Sequence, residues 1–281
     1  MNFLRFVTKN IANKFAFFIV FLLSTNLIGR FFLDQIINFS RNKNKKIQHN
    51  EICFLFSIPN SLTYYRVNTF SSKEPDTLMW IDKIPERSVF WDVGANVGLY
   101  SCYAAKARNC IVFAFEPSVF NLEVLARNIY LNSLSDKITI LPFPLSNSLS
   151  FNDLKMSSLE LGGALSTFGE NYGYDGKPLN KIFSFNTIGI SADKAIDLLK
   201  ISPPDYIKID VDGIESLILQ GAAQALMKVK GVLVEINEDF ETQQLKCQSY
   251  LKSSGLVMVS KINADLESAT SRNYNQIWMR I

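Results

Sequence analysis

The sequence predicts an α/β fold in which a mostly parallel sheet carries helices on both faces. Short apolar runs at 89–93, 111–115 and 138–141 alternate with segments whose apolar residues recur at helical spacing. Two further runs, at 206–210 and 232–236, repeat this alternation, which is typical of β-α-β units. The 281 residues are 48% hydrophobic, enough to fill one large core. We therefore expect one α/β domain with extensions.

The first fifty residues are predicted to lie outside that domain. Residues 15–23 are the most apolar segment, typical of a signal peptide, a membrane anchor, an interfacial helix or a helix packed on the domain. Their uninterrupted length is below the roughly 18 to 20 residues of a membrane span. We expect peripheral membrane contact, if there is any, through residues 11–33.

Charge predicts where the main domain lies. Basic residues are more numerous after the apolar segment than before it, which favours a cytoplasmic domain, associated with the inner face of a membrane if the segment binds one.

Residues 41–50 are polar and basic and predict a linker that precedes a domain at 51–281. Strands at 52–56 and 62–67 are expected to form a small β lead-in, followed by a helix at 74–81 that has a proline in its first turn.

The run from Val89 to Ser101 predicts a strand, a glycine turn and a helix start. Glycines have no Cβ and so allow a ligand to approach the backbone, and the N-terminus of a helix offers free N–H groups. This pattern predicts a nucleoside-cofactor site, whose residues would be Asp92, Gly94, Ala95, Asn96 and Gly98. The alternative is a turn whose glycines only help packing.

Glu116 ends the next strand, 24 positions after Asp92. A carboxylate at this position in a β-α-β unit can accept hydrogen bonds from two ribose hydroxyls. Dinucleotide sites use the spacing G-x-G-x-x-G, whereas this turn reads Asp-x-Gly-x-Asn-x-Gly. We therefore favour S-adenosylmethionine as the cofactor over a dinucleotide, and a methyltransferase over a dinucleotide-dependent oxidoreductase.

The middle of the chain predicts a helix at 121–132 and, after the strand at 138–141, a proline-stiffened loop. In this loop, Leu145 and Ser146 are candidates for contact with the adenine of the cofactor. Residues 148–190 interrupt the alternation and predict an inserted β-arm, which would select the substrate or pack a dimer. A helix at 192–199 follows, with Ser191 as its N-cap.

Acidic residues follow the strand at 206–210. Asp210, Asp212 and Glu215 are the available bases for removing a proton from an acceptor hydroxyl, and they are the predicted catalytic residues. Glu215 and Glu235 have an equally weighted structural interpretation, in which they bind backbone N–H groups. A metal held by Asp210, Asp212 and Asn237 is a less favoured variant, so no metal is predicted.

The remaining elements predict a helix at 214–227, another at 241–252, and two late strands at 256–260 and 275–280 that form an antiparallel edge.

Composition narrows the classes of function. A net charge of +3 and the absence of a basic patch interleaved with aromatics disfavour a nucleic-acid partner. The four cysteines lack C-x-x-C spacing, which disfavours a zinc site or a disulfide scaffold. The single histidine, His49, lies far from the motifs, which disfavours a Ser-His-Asp triad.

Several separated motifs resemble the FkbM family of S-adenosylmethionine-dependent methyltransferases. The similar stretches cover roughly residues 62 to 240. They are Glu74–Leu78, Asp92–Tyr100, Phe115–Pro117, Asn128, Asn132, Ile207–Glu215 and Val234–Asn237. The family often has Glu where Asp212 stands, so the acidic group here reaches one methylene less far.

The resemblance implies a Rossmann-like, seven-stranded class I methyltransferase sheet. It also implies O-methylation, commonly of a hydroxyl on a sugar or natural product. The acceptor is expected to be a small molecule or a glycan precursor, with a lean toward a surface-glycan or lipid-linked saccharide. The alternative is a non-catalytic module that keeps the cofactor fold and docks at a membrane or a partner. The sequence does not predict an oligomeric state.

Overall fold

A computed structural model describes residues 2–264 and 272–281, with side chains from residue 11 onward. The strands of these residues are β1 (Asn44–His49), β2 (Ile52–Ser57), β3 (Val89–Val93), β4 (Ile111–Phe115), β5 (Ile138–Leu141), β6 (Leu145–Ser146), β7 (Ser150–Met156), β8 (Ser166–Phe168), β9 (Phe183–Ser191), β10 (Tyr206–Ile209), β11 (Gly231–Asn237), β12 (Val257–Asn263) and β13 (Asn273–Met279).

Helices connect most of these strands. They are α1 (Asn2–Ser24), α2 (Leu27–Asn42), α3 (Ser61–Asn68), α4 (Phe70–Lys73), α5 (Pro75–Asp82), α6 (Leu99–Ala107), α7 (Val119–Leu131), α8 (Ala192–Leu199), α9 (Glu215–Gln220), α10 (Ala223–Leu226) and α11 (Glu241–Ser253). The main sheet has seven strands in the order β12-β13-β11-β10-β3-β4-β5. Strands β11, β10, β3, β4 and β5 are parallel, and β13 and β12 form an antiparallel edge, as predicted.

The alternation of side chains along each strand produces a core on both faces of the sheet. Phe90 and Val112 belong to one buried cluster, together with residues of α5, α6 and α7. Trp91 and Phe113, which follow them in sequence, belong to a second cluster with residues of α8, α9, α10 and α11. Because neighbouring residues of a strand point to opposite faces, one short apolar run supplies both clusters. The predicted fold class is confirmed.

Two predictions in the lead-in were wrong. Residues 44–49 are not a linker but strand β1, which pairs antiparallel with β2. Asn50 and Glu51 join them with positive φ angles of 46° and 66°, as in the tight turns that suit two-residue hairpins. Residues 62–67 are not a strand because Asn60 caps helix α3: its side chain accepts a hydrogen bond from the Thr63 N–H, and Thr63 bonds back to the Asn60 N–H.

The lead-in hairpin is fastened to helix α7 by two asparagines. Asn128 accepts a hydrogen bond from the Ser57 N–H at 2.7 Å and donates to the Val97 carbonyl at 2.7 Å. Asn132 makes hydrogen bonds with both backbone groups of Leu55, at 3.1 and 2.9 Å. These side chains therefore hold β2 and the glycine turn together.

The predicted single helix at 214–227 is divided into α9 and α10. A Cβ at Gly221 would lie 2.2 Å from the carbonyl oxygen of Ser146. The chain therefore passes β6 at Gly221 too closely for any side chain, and Gly221 is the C-cap at which α9 ends.

The N-terminal residues form two helices, α1 and α2, joined by Thr25 and Asn26. Among residues 2–264 and 272–281, no helix combines the length and apolar character needed to cross a membrane.

Gly94 is held at a place where a side chain has no room. Its φ is +83°, and a Cβ would lie 2.0 Å from the backbone oxygen of Asp210. We expect Gly94→Ala to lower the free energy of unfolding by about 3 kcal/mol, through left-handed strain and overpacking. Urea denaturation measures this, with Gly173→Ala as control, because a Cβ there meets only Leu179 at 3.5 Å. Equal losses from the two variants would contradict the expectation.

Candidate active site

A cleft that is open to solvent lies at the carboxyl ends of the parallel strands. The topology decides which residues line it. Along this edge of the sheet, Glu235 of β11, Asp210 after β10, Gly94 after β3, Glu116 after β4 and Leu145 beyond β5 follow one another. A smaller recess adjoins the cleft, and both are lined by Arg66, Lys73, Gly94, Asn96 and Asp210. Ligands of open α/β sheets bind at this edge.

Glu116 is a buried carboxylate at the margin of the cleft. Its Oε2 accepts a hydrogen bond from the Asn96 N–H at 2.7 Å, and its Oε1 accepts one from the Ser118 N–H at 2.7 Å. Burial raises the pKa of Glu116 to about 7, although these two hydrogen bonds oppose the shift. A carboxylate has about four acceptor sites, so both oxygens keep the capacity to accept from a ligand hydroxyl.

The backbone of the glycine turn is fully engaged within the protein. The Gly94 and Ala95 N–H groups both donate to the Phe115 carbonyl, and the Asn96 N–H donates to Glu116. The Val97 N–H donates to the Asn96 side chain, and the Gly98 N–H to the Ala95 carbonyl. Among residues 94–98, every N–H therefore has an acceptor already. This arrangement does not suit a pyrophosphate, which binds such turns through free N–H groups.

The glycines of the turn make room for neighbouring protein atoms, which is the packing role considered as the alternative, while Gly94 also lines the cleft and the recess. The missing Cβ of Gly94 makes room for the Asp210 carbonyl, and that of Gly98 for the Leu125 side chain at 2.2 Å. Asn96 adopts a left-handed conformation with φ of 49°, as its residue type favours.

Asp210 and Lys208 form an ion pair at the end of β10. The Lys208 Nζ lies 2.6 Å from Asp210 Oδ2 and 4.8 Å from the centre of the Tyr100 ring. Burial opposes the ionisation of Asp210, but the positive charges of Lys208 and Lys73 outweigh it and lower its pKa below the ordinary value. Lys208 is fully buried, and its pKa is raised by Asp210 and Asp92 against the effect of burial. Asp210 is therefore an ionised acceptor that faces the cleft.

Asp212 also lines the cleft, but it makes a different contact. Its Oδ2 accepts a hydrogen bond from the Ser166 N–H at 2.9 Å, and Ser166 begins β8 of the inserted sheet. Burial, with a smaller contribution from the negative charge of Asp210, raises the pKa of Asp212 to about 6. Asp212 therefore connects the end of β10 to the insertion.

Residues 161–166, here called the strap, help to line the cleft and are held by four side chains from three other parts of the chain. Asn60 donates to the Leu161 carbonyl at 3.0 Å, and Arg66 donates to the Gly162 carbonyl at 2.7 Å. Asn121 accepts from the Gly162 N–H at 2.9 Å and donates to the Gly163 carbonyl at 3.0 Å. Asn96 also donates to the Gly163 carbonyl, at 2.8 Å. The strap thus joins the lead-in, the glycine turn and α7.

The insertion that carries the strap is a small sheet. Its strands have the order β6-β9-β7-β8, within which β7 pairs antiparallel with both β8 and β9. The predicted β-arm at 148–190 is therefore packed against the main domain, and the strap is its contribution to the cleft.

Glu74, Asp210 and Glu235 form an acidic cluster between the cleft and the adjoining recess. Their carboxylate oxygens lie within 4.8 Å of one another, close enough to share one cation. Two of the three carboxylates are already paired with ammonium groups, since Lys73 lies 3.2 Å from Glu74 and Lys208 lies 2.6 Å from Asp210. Burial and the charges of Asp210 and Glu74 raise the pKa of Glu235 well above its usual range.

Four predicted site residues do not line the cleft or the recess. Asp92 is buried, with Oδ2 accepting from Ser101 at 2.6 Å. Glu215 accepts from the Gly213 N–H at 3.1 Å and from Gln243, so its carboxylate holds the backbone behind Asp212. Gly98 packs on Leu125, and Ser146 is buried with its carbonyl against Gly221. The expectation that Glu215 acts directly on an acceptor is corrected, because its carboxylate faces the interior.

The other predicted site residues come together. Asp210, Asp212, Gly94, Asn96, Glu116 and Leu145 line the cleft, and Ala95 lines the recess. Sequence reasoning missed Arg66, Lys73, Asn121 and Phe143, which line the cleft as well. The capping box of α3 was a signal for a helix after Asn60, but it does not predict that Arg66 reaches the strap.

Comparison with known proteins assigns the chain to a family. The family model described as the methyltransferase FkbM domain matches residues 92–268, which is more than half of the chain. The chain belongs to the FkbM methyltransferase family. A curated relative, hexuronic acid methyltransferase AglP of Haloferax volcanii, is 26% identical over 225 residues, which are 78% of this chain and 85% of the relative.

Two solved structures are similar to this FkbM methyltransferase. The methyltransferase FkbM of Methylobacillus flagellatus has a TM-score of 0.47 and 16% identity, over 78% of this chain and 55% of that one. The precorrin-6y C5,15-methyltransferase of Geobacter metallireducens has a TM-score of 0.41 and 14% identity, over 73% and 86%.

Family membership makes the chain an enzyme that transfers methyl groups, and it implies S-adenosylmethionine as the donor. It does not favour the alternative of a non-catalytic module.

Proposed function

We propose that this FkbM methyltransferase transfers a methyl group from S-adenosylmethionine to an oxygen atom of an acidic sugar, free or within a glycan precursor. One observation carries the proposal. The cleft has a buried carboxylate beside apolar side chains after β4 and β5, and an ionised carboxylate flanked by cationic side chains after β10. These sets lie side by side on one edge of the sheet, so that donor and acceptor would meet above Gly94.

The residues after β4 and β5 fit the nucleoside of the donor. Glu116 is proposed to accept hydrogen bonds from the two ribose hydroxyls through the lone pairs that Asn96 and Ser118 leave free. Phe143 and Leu145 offer apolar walls for the adenine. The absence of free N–H groups in the glycine turn agrees with a cofactor that carries no phosphate.

The residues after β10 fit the acceptor. Arg66 and Lys73 line the cleft and are proposed to bind the carboxylate of the acidic sugar. The name of the relative, a hexuronic acid methyltransferase, supports this class of acceptor. A neutral sugar has no carboxylate that could bind Arg66 and Lys73.

When bound, S-adenosylmethionine supplies a methyl group activated by a sulfonium. Asp210 is proposed to accept a hydrogen bond from the acceptor hydroxyl and to take up its proton as the oxygen attacks. Lys208 keeps Asp210 ionised and fixes its orientation. With both reactants bound, the strap and the apolar walls would shield the reacting atoms from water and restrict the reactants to an in-line geometry, which can supply several kcal/mol of the barrier reduction.

Calorimetric titration of the full chain with S-adenosylmethionine and S-adenosylhomocysteine tests the donor. We expect micromolar binding of both. Transfer of a labelled methyl group to uronic acid glycosides, compared with matched neutral glycosides, then tests the acceptor, and we expect a preference for the uronic acids. A folded sample that binds neither nucleoside contradicts the donor site. A preference for neutral glycosides contradicts the acceptor proposal alone.

A further inference from the structure

The N-terminal helices expose an unusual amount of apolar surface. In α1, the six consecutive residues from Phe17 to Leu22 are all exposed, including Phe17 at 77% and Phe21 at 65%. Since each residue of an α-helix is rotated by 100° from the last, six in a row cover every direction around the axis. A partner protein would cover one face of such a helix, whereas a lipid phase surrounds it.

Helix α2 is amphipathic, and its apolar face is exposed as well. Its polar residues Arg30, Asp34, Asn38 and Arg41 recur at helical spacing along one side. The exposed apolar residues of α2 are Leu27, Ile28, Phe31, Phe32, Ile36, Ile37 and Phe39. A helix with a charged side and a Phe-rich side is typical of segments that lie in the interface of a membrane.

Several polar groups of the turn between α1 and α2 are paired within the turn. The Ser24 and Thr25 hydroxyls donate to the carbonyls of Phe21 and Leu22 at 2.7 Å. The Asn26 side chain accepts from the Gly29 N–H at 2.8 Å, and Arg30 Nε donates to the Ser24 carbonyl at 2.8 Å. An apolar medium imposes this requirement, because an unpaired polar group there costs several kcal/mol.

The base of the helix pair is fixed to the domain and is basic. Ser40 donates to the Pro59 carbonyl at 2.8 Å, and Arg41 contacts Glu123 at 2.7 Å. Lys43 and Lys46 are exposed and have no side-chain partner in the part of the chain that the structure describes. Such cations attract anionic lipid headgroups.

We propose that α1 and α2 bind the surface of an anionic lipid bilayer. The apolar side chains of both helices lie among the acyl chains, and Lys43 and Lys46 lie against the headgroups. The contact through Ser40 then holds the domain at the membrane beside α3, the helix that carries Arg66 of the cleft. This inference does not depend on the identity of the acceptor.

Flotation of the full chain with lipid vesicles tests the proposal. We compare vesicles of phosphatidylcholine alone with vesicles that contain about one-third phosphatidylglycerol, and we expect the chain to float mainly with the anionic ones. Phe17→Glu with Phe31→Glu is expected to reduce the partition coefficient at least about tenfold. The matched control is Phe151→Glu, because Phe151 is 70% exposed but lies on β7 of the insertion.

A second pair of variants tests the charges. Lys43→Glu with Lys46→Glu is expected to lower binding to anionic vesicles by about 20-fold or more and to leave binding to neutral ones unchanged. The control is Lys181→Glu with Lys228→Glu, two exposed cations outside the helix pair. Circular dichroism verifies that each variant is folded.

Three results would overturn the proposal. The first is that the double variant of Phe17 and Phe31 floats as well as the wild type. The second is that the wild type binds both kinds of vesicle equally. The third is that the chain binds neither kind of vesicle and instead forms a dimer through α1 and α2.

Discussion

Asp210→Asn is expected to lower kcat by about 100-fold to 10,000-fold, while the affinity for S-adenosylhomocysteine changes only a few-fold. The variant keeps the shape of the side chain but loses the charge that accepts the proton of the attacking oxygen. Its amide would also present N–H groups, or a weaker acceptor, to the Lys208 ammonium group 2.6 Å away. Steady-state kinetics with labelled donor, together with calorimetry, separate the two effects.

Asp205→Asn is the matched control for Asp210→Asn. Asp205 pairs with Lys230 at 2.7 Å near the opposite end of β10, so this variant also removes an ion pair but lies away from the cleft. We expect kcat of Asp205→Asn to stay within a few-fold of wild type. Asp212→Asn is expected to have a smaller effect than Asp210→Asn, because Asp212 binds the Ser166 N–H. Near-normal turnover of Asp210→Asn, or a larger loss in Asp212→Asn, would refute the assignment of the base.

Lys208→Met provides a readout of the same group that is independent of rate. Without this cation, burial dominates and the pKa of Asp210 rises. A base is active when it is ionised, so activity falls as the pH drops below its pKa. The acidic limb of the pH–rate profile is therefore expected to move to higher pH in Lys208→Met. An unshifted limb would mean that Asp210 is not the group that titrates.

Glu116→Gln is expected to weaken binding of S-adenosylmethionine by about 100-fold, because two charge-assisted hydrogen bonds to the ribose are lost. In the wild type, the Asn96 and Ser118 N–H groups each donate to a carboxylate oxygen of Glu116 at 2.7 Å. In the variant, the amide nitrogen of Gln would replace one of these oxygens, and its N–H groups would face the N–H of Asn96 or Ser118. Calorimetry measures the affinity, and thermal unfolding shows whether the turn is damaged. Glu123→Gln is the control, since Glu123 lies on α7 and contacts Arg41 and Arg127 outside the cleft. Equal affinities of Glu116→Gln and wild type would remove Glu116 from the donor site.

The pH dependence of donor binding gives a further test of Glu116. Its pKa of about 7 in the unliganded protein means that it is mostly protonated at pH 6 and mostly ionised at pH 8. Because the ionised form accepts both ribose hydroxyls, affinity is expected to rise about tenfold from pH 6 to pH 8 in the wild type. The rise is expected to be largely absent in Glu116→Gln.

The sheet and part of the site were predictable because both follow from local sequence patterns. Each core strand is a short apolar run, and residues that follow parallel strands must meet at one edge. Asp210, Glu116 and Leu145 were placed correctly at this edge for that reason. Strand β1 was missed because it has a single apolar residue, Ile47, among polar ones, so its position depends on pairing with β2.

The rest of the site depends on contacts between distant parts of the chain. Arg66 and Gly162 are 96 residues apart, and Asn121 and Gly162 are 41 apart. No periodicity relates such residues, so the sequence does not predict the strap or its partners. The roles of Glu215 and Gly98 were also undecidable from sequence, because a residue next to a motif can face either the cleft or the interior.

The way the strap is fastened has a consequence for protein engineering. Exchanging the insertion with that of a relative is an obvious route to a new acceptor preference. In this protein the strap of the insertion is held by hydrogen bonds to four side chains that precede the insertion in the chain. They are Asn60, Arg66, Asn96 and Asn121. A chimera that exchanges residues 148–190 alone would place the strap of another protein against side chains that do not fit its hydrogen-bonding groups. A functional graft has to include the lead-in helix and the start of α7 from the same parent.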